Sequence, residues 1–254
     1  MNQDLPAMLD IWNQTLHWQP SDRQTALYAQ LYAAVIEGNQ KQNLTRITEP
    51  QEFWEKHIWD SLLGTAPFFG SDHSLAVFKD HINLTQNLNI IDIGTGAGFP
   101  GLPVAIAKPE WSITMVDSTR KKIRFIIEAI AKLKLTNAQA IVGRAETLGQ
   151  QTIHREKYDL ALIRAVAQPS VCAEYILPFV KVGGYGVLYR GHWQESDTVA
   201  LGLAVNTLGS KVVGVKQTVT PLSNSIRHCI YLYKQSPTPN KFPRQVGMPN
   251  QQPL

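Results

Sequence analysis

A run of alternating glycines directly after a short apolar segment is the feature that most restricts the fold of this 254-residue chain. Residues 89–93 are mostly apolar and β-branched, which indicates a buried strand. Gly94, Gly96 and Gly98 then follow, and glycine at every second position suits neither a helix nor a strand interior. After Pro100 the apolar residues take helical spacing. The stretch therefore predicts a strand, a glycine turn and a helix whose first N–H groups are open to a ligand.

These glycines fit two ligand-binding patterns. Gly96, Gly98 and Gly101 form G-x-G-x-x-G, which is typical of dinucleotide-binding folds. Asp92 followed by Gly94, Gly96 and Gly98 forms the D-x-G-x-G-x-G loop of methyltransferases that use S-adenosylmethionine. A carboxylate at the strand end repels a pyrophosphate but suits a ligand that carries an ammonium and a sulfonium, so Asp92 favours the second pattern. A tight turn that binds no ligand is the structural alternative.

A second carboxylate, Asp117, ends the next apolar run. Either fold places an acidic residue at this point, where it contacts ribose hydroxyls. Asp117 therefore supports an adenosine-type ligand without choosing between the two patterns.

From residue 89 onward, predicted strands and helices alternate, which implies a mainly parallel sheet with helices on both faces. The predicted strands are 90–93, 112–116, 138–142, 160–163, 186–189, 211–215 and 229–233. The predicted helices between them are 102–107, 121–133, 168–179 and 195–208. The last two strands have no helix between them and should pair as an antiparallel hairpin at an edge. Seven strands with such a hairpin are typical of the class I methyltransferase fold, whereas the dinucleotide fold has six.

The rest of the chain divides by composition. Residues 1–69 show helical spacing and predict an N-terminal helical cap, with Ser21 as an N-cap and Pro50 opening a third helix. Residues 70–88 form a connecting segment whose pattern assigns no structure, and 89–234 form the methyltransferase domain. Residues 235–254 are basic and rich in proline, which predicts a flexible tail. Such a tail either orders on RNA or is a disordered end.

Composition excludes several function classes. The two cysteines, Cys172 and Cys229, lie in apolar surroundings, so we expect buried thiols in a reduced, cytoplasmic protein. No cysteine or histidine cluster has zinc-ligand spacing, so no metal site is expected. No apolar run reaches the length of a membrane span, and the first residues do not read as a signal peptide. The net charge of +4 is a weak indication of an anionic partner.

Arginines follow three of the predicted parallel strands, at positions 144, 164 and 190. Because the carboxyl ends of parallel strands meet at one edge of a sheet, we expect these arginines to line the same mouth as the ligand. A guanidinium fork matches phosphate oxygens or the O6/N7 edge of guanine, so together they favour nucleic acid. Singly, each is also explained by a salt bridge. His57 and Asp60 share a helix face, a pairing more often structural than catalytic.

Several motifs along the chain coincide with those of one family. They are Asn43-Leu44-Thr45, His57-Ile58-Trp59-Asp60-Ser61, Asp92 to Gly101, Asp117-Ser118 with Lys121-Lys122, Arg164-Ala165, Arg227-His228 and Pro239 to Arg244. In this combination the chain resembles the bacterial 16S ribosomal RNA methyltransferases of the glucose-inhibited division protein B family. The resemblance implies methylation at N7 of a guanine in 16S rRNA or the small ribosomal subunit, in the cytoplasm, with S-adenosylmethionine as donor.

The resemblance also implies roles for individual residues. Its cofactor contacts are Gly94, Phe99, Asp117, Ser118, Thr119, Ala145, Glu146 and Arg164. To these the loop pattern adds Asp92, Gly96 and Gly98 as cofactor-binding residues. Arg164 is the expected catalytic residue, and the expected RNA-binding residues are Arg144, Arg190, Arg227 and His57. Lys56 stands where the family often has arginine, which keeps the charge but not the bidentate fork.

Three other functions are compatible with parts of this pattern. The first is a methyltransferase of the same fold that acts on another RNA, on protein or on a small molecule. The second is a nicotinamide-dependent oxidoreductase built on the G-x-G-x-x-G pattern, which Asp92 and the terminal hairpin disfavour. The third is a non-catalytic RNA-binding protein, which the intact glycine loop and Asp117 disfavour.

Overall fold

The computed structural model describes residues 4–69 and 87–254, and its centre is a seven-stranded sheet with helices on both faces. The strands are Asn89–Ile93 (β1), Ser112–Asp117 (β2), Ala138–Val142 (β3), Tyr158–Arg164 (β4), Val180–Arg190 (β5), Ser210–Val219 (β6) and Ile226–Lys234 (β7). The α-helices are Leu9–Leu16 (α1), Asp22–Lys41 (α2), Pro50–Phe53 (α3), Asp60–Leu63 (α4), Gly101–Ala107 (α5), Arg120–Lys132 (α6), Ala145–Leu148 (α7), Pro169–Ile176 (α8), Glu195–Thr207 (α9) and Met248–Gln251 (α10). The predicted connecting segment lies almost wholly outside the described residues.

The strand order is β3-β2-β1-β4-β5-β7-β6, and β7 runs antiparallel to both of its neighbours. The other neighbouring pairs are parallel. This order confirms the predicted class I methyltransferase fold and its terminal hairpin. Strands β2 and β3 are added on one side of β1, and β4 and β5 on the other. Because the strand order reverses between β1 and β4, a crevice opens beyond their carboxyl ends, where ligands of such sheets bind.

The N-terminal helices pack on one face of the sheet. Ser21 caps α2 through a capping box with Gln24, as its position predicted. Trp12, Trp54 and Trp59 are at most 1% exposed and belong to the apolar cluster that also contains strand and helix residues of the sheet domain. The N-terminal helices therefore complete the core on that face.

The third predicted helix is not α-helical throughout. Between α3 and α4, residues Trp54–Trp59 form a π-helix, in which the Asp60 N–H donates to the Glu55 carbonyl. The Glu55 carboxylate is 2% exposed and accepts the N–H groups of Leu222 and Ser223, in the turn between β6 and β7. This helix is thereby held against the hairpin at the edge of the sheet.

The predicted helix 168–179 is shorter in the structure. Helix α8 ends at Ile176 and not at residue 179. Leu177 keeps helical backbone angles, but Pro178 has no N–H with which to continue the helical hydrogen bonds. Both cysteines, Cys172 and Cys229, are buried and free, as predicted. Among the helices that the structure describes, none has the length and apolarity needed to cross a bilayer.

The carboxyl-terminal segment is packed onto the domain, so the prediction of a flexible tail is wrong for this structure. Phe242 is 3% exposed, and the Arg244 guanidinium is paired with Glu174, which is fully buried. Arg155 donates to the backbone oxygens of Thr238 and Phe242. Composition indicated flexibility because the segment has too few aliphatic residues for a core of its own. The side chains that hold it, Glu174 and Arg155, lie on other parts of the chain.

Candidate active site

Two cavities open side by side at the carboxyl ends of the parallel strands, and Ala165 lies in the wall of both. The first, which we call the acidic cavity, has a volume of about 340 Å³ and is bordered by Asp117 and Glu146. The second, which we call the arginine cavity, has a volume of about 480 Å³ and is bordered by Arg164 and Arg227. The predicted site residues are distributed between these two spaces.

The glycine loop begins at the wall of the acidic cavity, which Gly94 borders. Gly94 and Gly96 have φ values of 71° and 63°, which disfavour any residue with a Cβ. A Cβ on Gly94 would lie 2.5 Å from Cγ2 of Val166, whereas one on Gly96 would enter open space. The loop therefore presents bare backbone to a ligand.

Asp92 lies beneath this loop and not in the cavity wall. Its side chain is fully buried, and Oδ2 accepts the Thr95 hydroxyl at 2.6 Å and the Gly101 N–H at 2.8 Å. Oδ1 has no hydrogen-bond partner within residues 4–69 and 87–254. Burial raises the pKa of Asp92 to about 6, although the Thr95 and Gly101 hydrogen bonds act in the opposite direction. The structure thus makes Asp92 the tie between the end of β1 and the start of α5, where the sequence indicated an open ligand contact.

The raised pKa of Asp92 predicts a pH-dependent contribution to stability. The protonated form favours folding, so this contribution is full below the ordinary pKa of 3.8 and is lost as the pH rises through about 6. In the Asp92→Asn variant the side chain at this position is uncharged at every pH, so the variant does not lose stability in this way as the pH rises. Between about pH 4.5 and 7.5, we expect the unfolding free energy of the variant to gain about 2 kcal/mol relative to wild type. Urea unfolding without ligand measures it, and a difference that does not change with pH contradicts the prediction.

Asp117 borders the acidic cavity from the end of β2. Its Oδ1 accepts the Thr119 N–H at 2.8 Å, and its Oδ2 accepts the Gly96 N–H at 3.0 Å. The residue is 7% exposed, and each carboxylate oxygen keeps a second lone pair. A carboxylate fixed in this way can accept two further hydroxyl groups. Ser118 and Thr119 continue the same wall.

The other end of the acidic cavity follows β3. Glu146 is 5% exposed, and its Oε1 accepts the N–H of Gly247 from the carboxyl-terminal segment at 3.0 Å. Burial and then the charge of Glu146 raise the pKa of Tyr175 to about 12, so its hydroxyl stays a donor. Arg144, the N-cap residue of α7, also borders this cavity.

The arginine cavity is organised by Asp60. Arg164 Nη1 donates to Asp60 Oδ2 and to the Lys56 carbonyl, both at 2.8 Å. On the other side, Arg227 Nε lies 3.4 Å from Asp60 Oδ1. Arg190 donates to the Ala167 carbonyl at 2.7 Å and borders the same cavity. One carboxylate is therefore shared by two of the three arginines that border this cavity.

His57 joins this cavity to the glycine loop. Its ring stacks on Phe99 with a centroid distance of 4.4 Å, and Nε2 lies 2.8 Å from the Thr45 hydroxyl oxygen. Burial, then the charges of Arg164 and Lys56, lower the pKa of His57 to about 3. Arg164 can only donate to Nδ1, at 3.4 Å, so Nε2 carries the proton of the neutral ring.

The structure therefore divides the predicted residues into two sets. Around the acidic cavity lie Gly94, Asp117, Ser118, Thr119, Ala145, Glu146 and Arg144. Around the arginine cavity lie His57, Arg164, Arg190 and Arg227. The expectation that Arg144, Arg164 and Arg190 line one mouth is wrong, because Arg144 is in the acidic cavity. Gly96, Gly98, Phe99 and Asp92 shape the loop between the two.

Sequence reasoning missed three neighbours of these sets. Asp60 was interpreted as a structural partner of His57, and its bridging of Arg164 and Arg227 was not foreseen. Tyr175 and Asn250 border the acidic cavity without being predicted. They are hydrogen-bonded to each other across 75 positions of the chain, so no local pattern connects them.

The acidic cavity has groups that suit a nucleoside: the bare backbone at Gly94, the Asp117 carboxylate for hydroxyl groups, and the Glu146 carboxylate at the other end.

Comparison with known proteins identifies relatives by sequence. Residues 24–229 match the model of a family described as rRNA small subunit methyltransferase G. A protein named ribosomal RNA small subunit methyltransferase G from Trichormus variabilis is 55% identical over 254 residues and is covered completely, as is this chain. A protein of the same name from Nostoc sp. is 54% identical over 254 residues, with 100% of both chains covered.

Solved structures that are similar share only the fold. A 16S rRNA (adenine(1408)-N(1))-methyltransferase from Catenulisporales acidiphilia has a TM-score of 0.51 and 16% identity, covering 61% of this chain and 88% of that one. The [4+2]-cyclase SpnF has a TM-score of 0.52 and 12% identity, covering 85% and 97%. Since these two are named for different reactions, the fold alone does not decide the chemistry.

Proposed function

The chain belongs to the rRNA small subunit methyltransferase G family, and we propose that it transfers a methyl group from S-adenosylmethionine to N7 of a guanine in 16S rRNA. Membership of the family makes it an S-adenosylmethionine-dependent rRNA methyltransferase and excludes the nicotinamide-dependent oxidoreductase. The proposal concerns the acceptor: its base is a guanine, its atom is N7, and its RNA is the 16S rRNA of the small ribosomal subunit.

The residues of the acidic cavity fit this donor. The open space over Gly96 leaves room for the cofactor beside bare backbone. The fixed carboxylate of Asp117 is suited to the two ribose hydroxyls, and Ala145 and Glu146 are suited to the adenine end. When bound, S-adenosylmethionine supplies an electrophilic methyl group on a sulfonium.

The observation that carries the proposal for N7 is the state of the side chains around the arginine cavity. His57 is neutral with both ring nitrogens engaged, and Asp60 is held between two arginines. The described residues of this cavity therefore offer no free general base. Guanine N7 carries no proton and has a free lone pair at neutral pH, so its methylation needs no general base. The new N–C bond forms as the C–S bond of the donor breaks. The chain has only to hold the two atoms in line and exclude water.

The arginine cavity supports an RNA substrate beside the donor. Arg190 and Arg227 are suited to phosphate contacts, and a guanidinium can donate to guanine O6 while N7 stays free. Because Ala165 lies in both walls, the two cavities adjoin there. A base in the arginine cavity would then lie beside a donor in the acidic cavity. A guanine reaches this point only if it is unstacked or in a single-stranded loop. An rRNA substrate also implies a cytoplasmic enzyme.

Methylation of 16S rRNA transcripts with a tritiated donor tests the proposal. We expect incorporation into a transcript with ordinary guanosine and none into a matched transcript made with 7-deazaguanosine, which has no N7. Incorporation into both transcripts would mean that another atom is the acceptor. Incorporation into protein but not into either RNA would contradict the rRNA substrate. Free rRNA and assembled small subunits, compared in parallel, show which form the enzyme prefers.

A further inference from the structure

We infer that the carboxyl-terminal segment 245–252 is a wall of the cofactor site, in which Asn250 contacts the adenine ring. This inference rests on the proposed function, because it requires S-adenosylmethionine in the acidic cavity. It assigns cofactor binding to a segment whose composition predicted a flexible tail, either ordering on RNA or ending in disorder.

The first observation is the position of Asn250. Its side chain borders the acidic cavity at the end that holds Ala145 and Glu146. Asn250 Nδ2 donates to the Tyr175 hydroxyl at 2.9 Å, and the Gly247 N–H donates to Glu146 Oε1 at 3.0 Å. Two groups of the segment thus contact the two side chains that form this end of the cavity.

The second observation is that the segment is held there by contacts outside the cavity. Arg244 donates to the fully buried Glu174 through its backbone N–H at 2.8 Å and through Nη2 at 2.6 Å. Gln150 donates to the Pro243 carbonyl at 2.8 Å, and Pro249 is buried against α8 and its surroundings. These anchors place Gly247 and Asn250 before any ligand arrives, so binding does not have to order them.

The third observation is chemical complementarity. An asparagine amide offers one acceptor oxygen and two N–H groups, and one of those N–H groups is used on Tyr175. Its Oδ1 has no partner among the residues that the structure describes. The remaining acceptor and donor match the exocyclic amine and the neighbouring ring nitrogen of adenine, a pairing that asparagine makes well. Inosine carries an oxygen in place of the amine, so this contact should favour adenosine.

Isothermal titration calorimetry with S-adenosylhomocysteine, adenosine and inosine tests the inference on the full-length protein. For Asn250→Leu we expect about 10-fold weaker binding of S-adenosylhomocysteine and of adenosine. Inosine binding should change by less than about 3-fold, so the preference for adenosine collapses. Removal of residues 245–254 should weaken S-adenosylhomocysteine by about 30-fold or more, because the wall is lost with the contact.

The matched control removes only the exposed residues 253–254 and should bind within about twofold of wild type. Asn250→Ala serves as a second variant, and thermal unfolding of the free proteins reports whether each one folds. Equal weakening of adenosine and inosine would show a merely structural role and overturn the inference, as would unchanged binding after removal of 245–254. If wild type binds no S-adenosylhomocysteine at all, the proposed function itself fails.

Discussion

Replacing Arg164 with alanine should lower kcat/KM for rRNA methylation by about 100-fold or more. Arg164 joins the end of β4 to the π-helix through the Lys56 carbonyl and to α4 through Asp60. Its guanidinium lies 5.9 Å from the centre of the Phe99 ring. Its loss frees the elements that meet where the two cavities adjoin, and misplacement of a bound reactant by about 1 Å is enough for such an effect. Methyl transfer to 16S rRNA measures the rate, and titration with S-adenosylhomocysteine measures the affinity for the cofactor.

A conservative variant, Arg164→Lys, tests whether the charge of Arg164 is sufficient, and Arg23→Ala serves as a control. Arg164→Lys keeps the positive charge but lacks the bidentate guanidinium, so we expect about a 10-fold loss of rate. Arg23→Ala removes an exposed arginine of α2 and should stay within about twofold of wild type. Asp60 keeps Arg227 in the alanine variant, so the unfolding free energy should fall by only about 1–3 kcal/mol. Unchanged rate and cofactor affinity in Arg164→Ala would remove this residue from the site.

Replacing Asp117 with asparagine should weaken binding of S-adenosylhomocysteine by about 100-fold. Both carboxylate oxygens accept a backbone N–H, from Gly96 and from Thr119. An amide group must turn its own N–H₂ toward one of these donors, which disturbs the loop and removes an acceptor for a ribose hydroxyl. The disturbed loop and the lost charge-assisted hydrogen bond to a ribose hydroxyl together correspond to about 3 kcal/mol, or roughly 100-fold in affinity.

Calorimetry at one salt concentration checks this value. Glu128→Gln is the matched control, because it also removes one carboxylate charge but from the exposed face of α6, where its partner is Arg124. We expect the control to bind S-adenosylhomocysteine within about twofold of wild type. An Asp117→Asn variant that binds as tightly as the control would show that Asp117 does not contact the cofactor.

The sheet could be predicted from the sequence because its signals are local. Each strand has its own apolar run, and the hairpin of β6 and β7 follows from a connection too short for a helix. The glycine loop is local as well: positive φ at Gly94 and Gly96 is required within five residues of Asp92. The class I fold, and the expectation of a ligand site at the strand ends, therefore followed from the residues themselves.

The division of the site into two cavities could not be predicted in this way. Arg144, Arg164 and Arg190 all follow parallel strands, yet only the strand order and the side-chain directions separate Arg144 from the others. The same holds for Asp60, whose bond to Arg164 spans 104 positions. A π-helical turn, which has no sequence signature of its own, carries Lys56 and His57 to that cavity.

The sequence by itself determined the fold, the glycine loop and the acidic residue that ends β2. Only the tertiary structure decided that Asp92 is buried, that Asp60 bridges two arginines and that the segment after β7 closes onto Glu146. The physical reason is the distance along the chain over which each kind of interaction acts. Backbone conformation and apolar periodicity act over a few residues, whereas burial, ion pairing and pKa depend on side chains that meet only when the chain has folded.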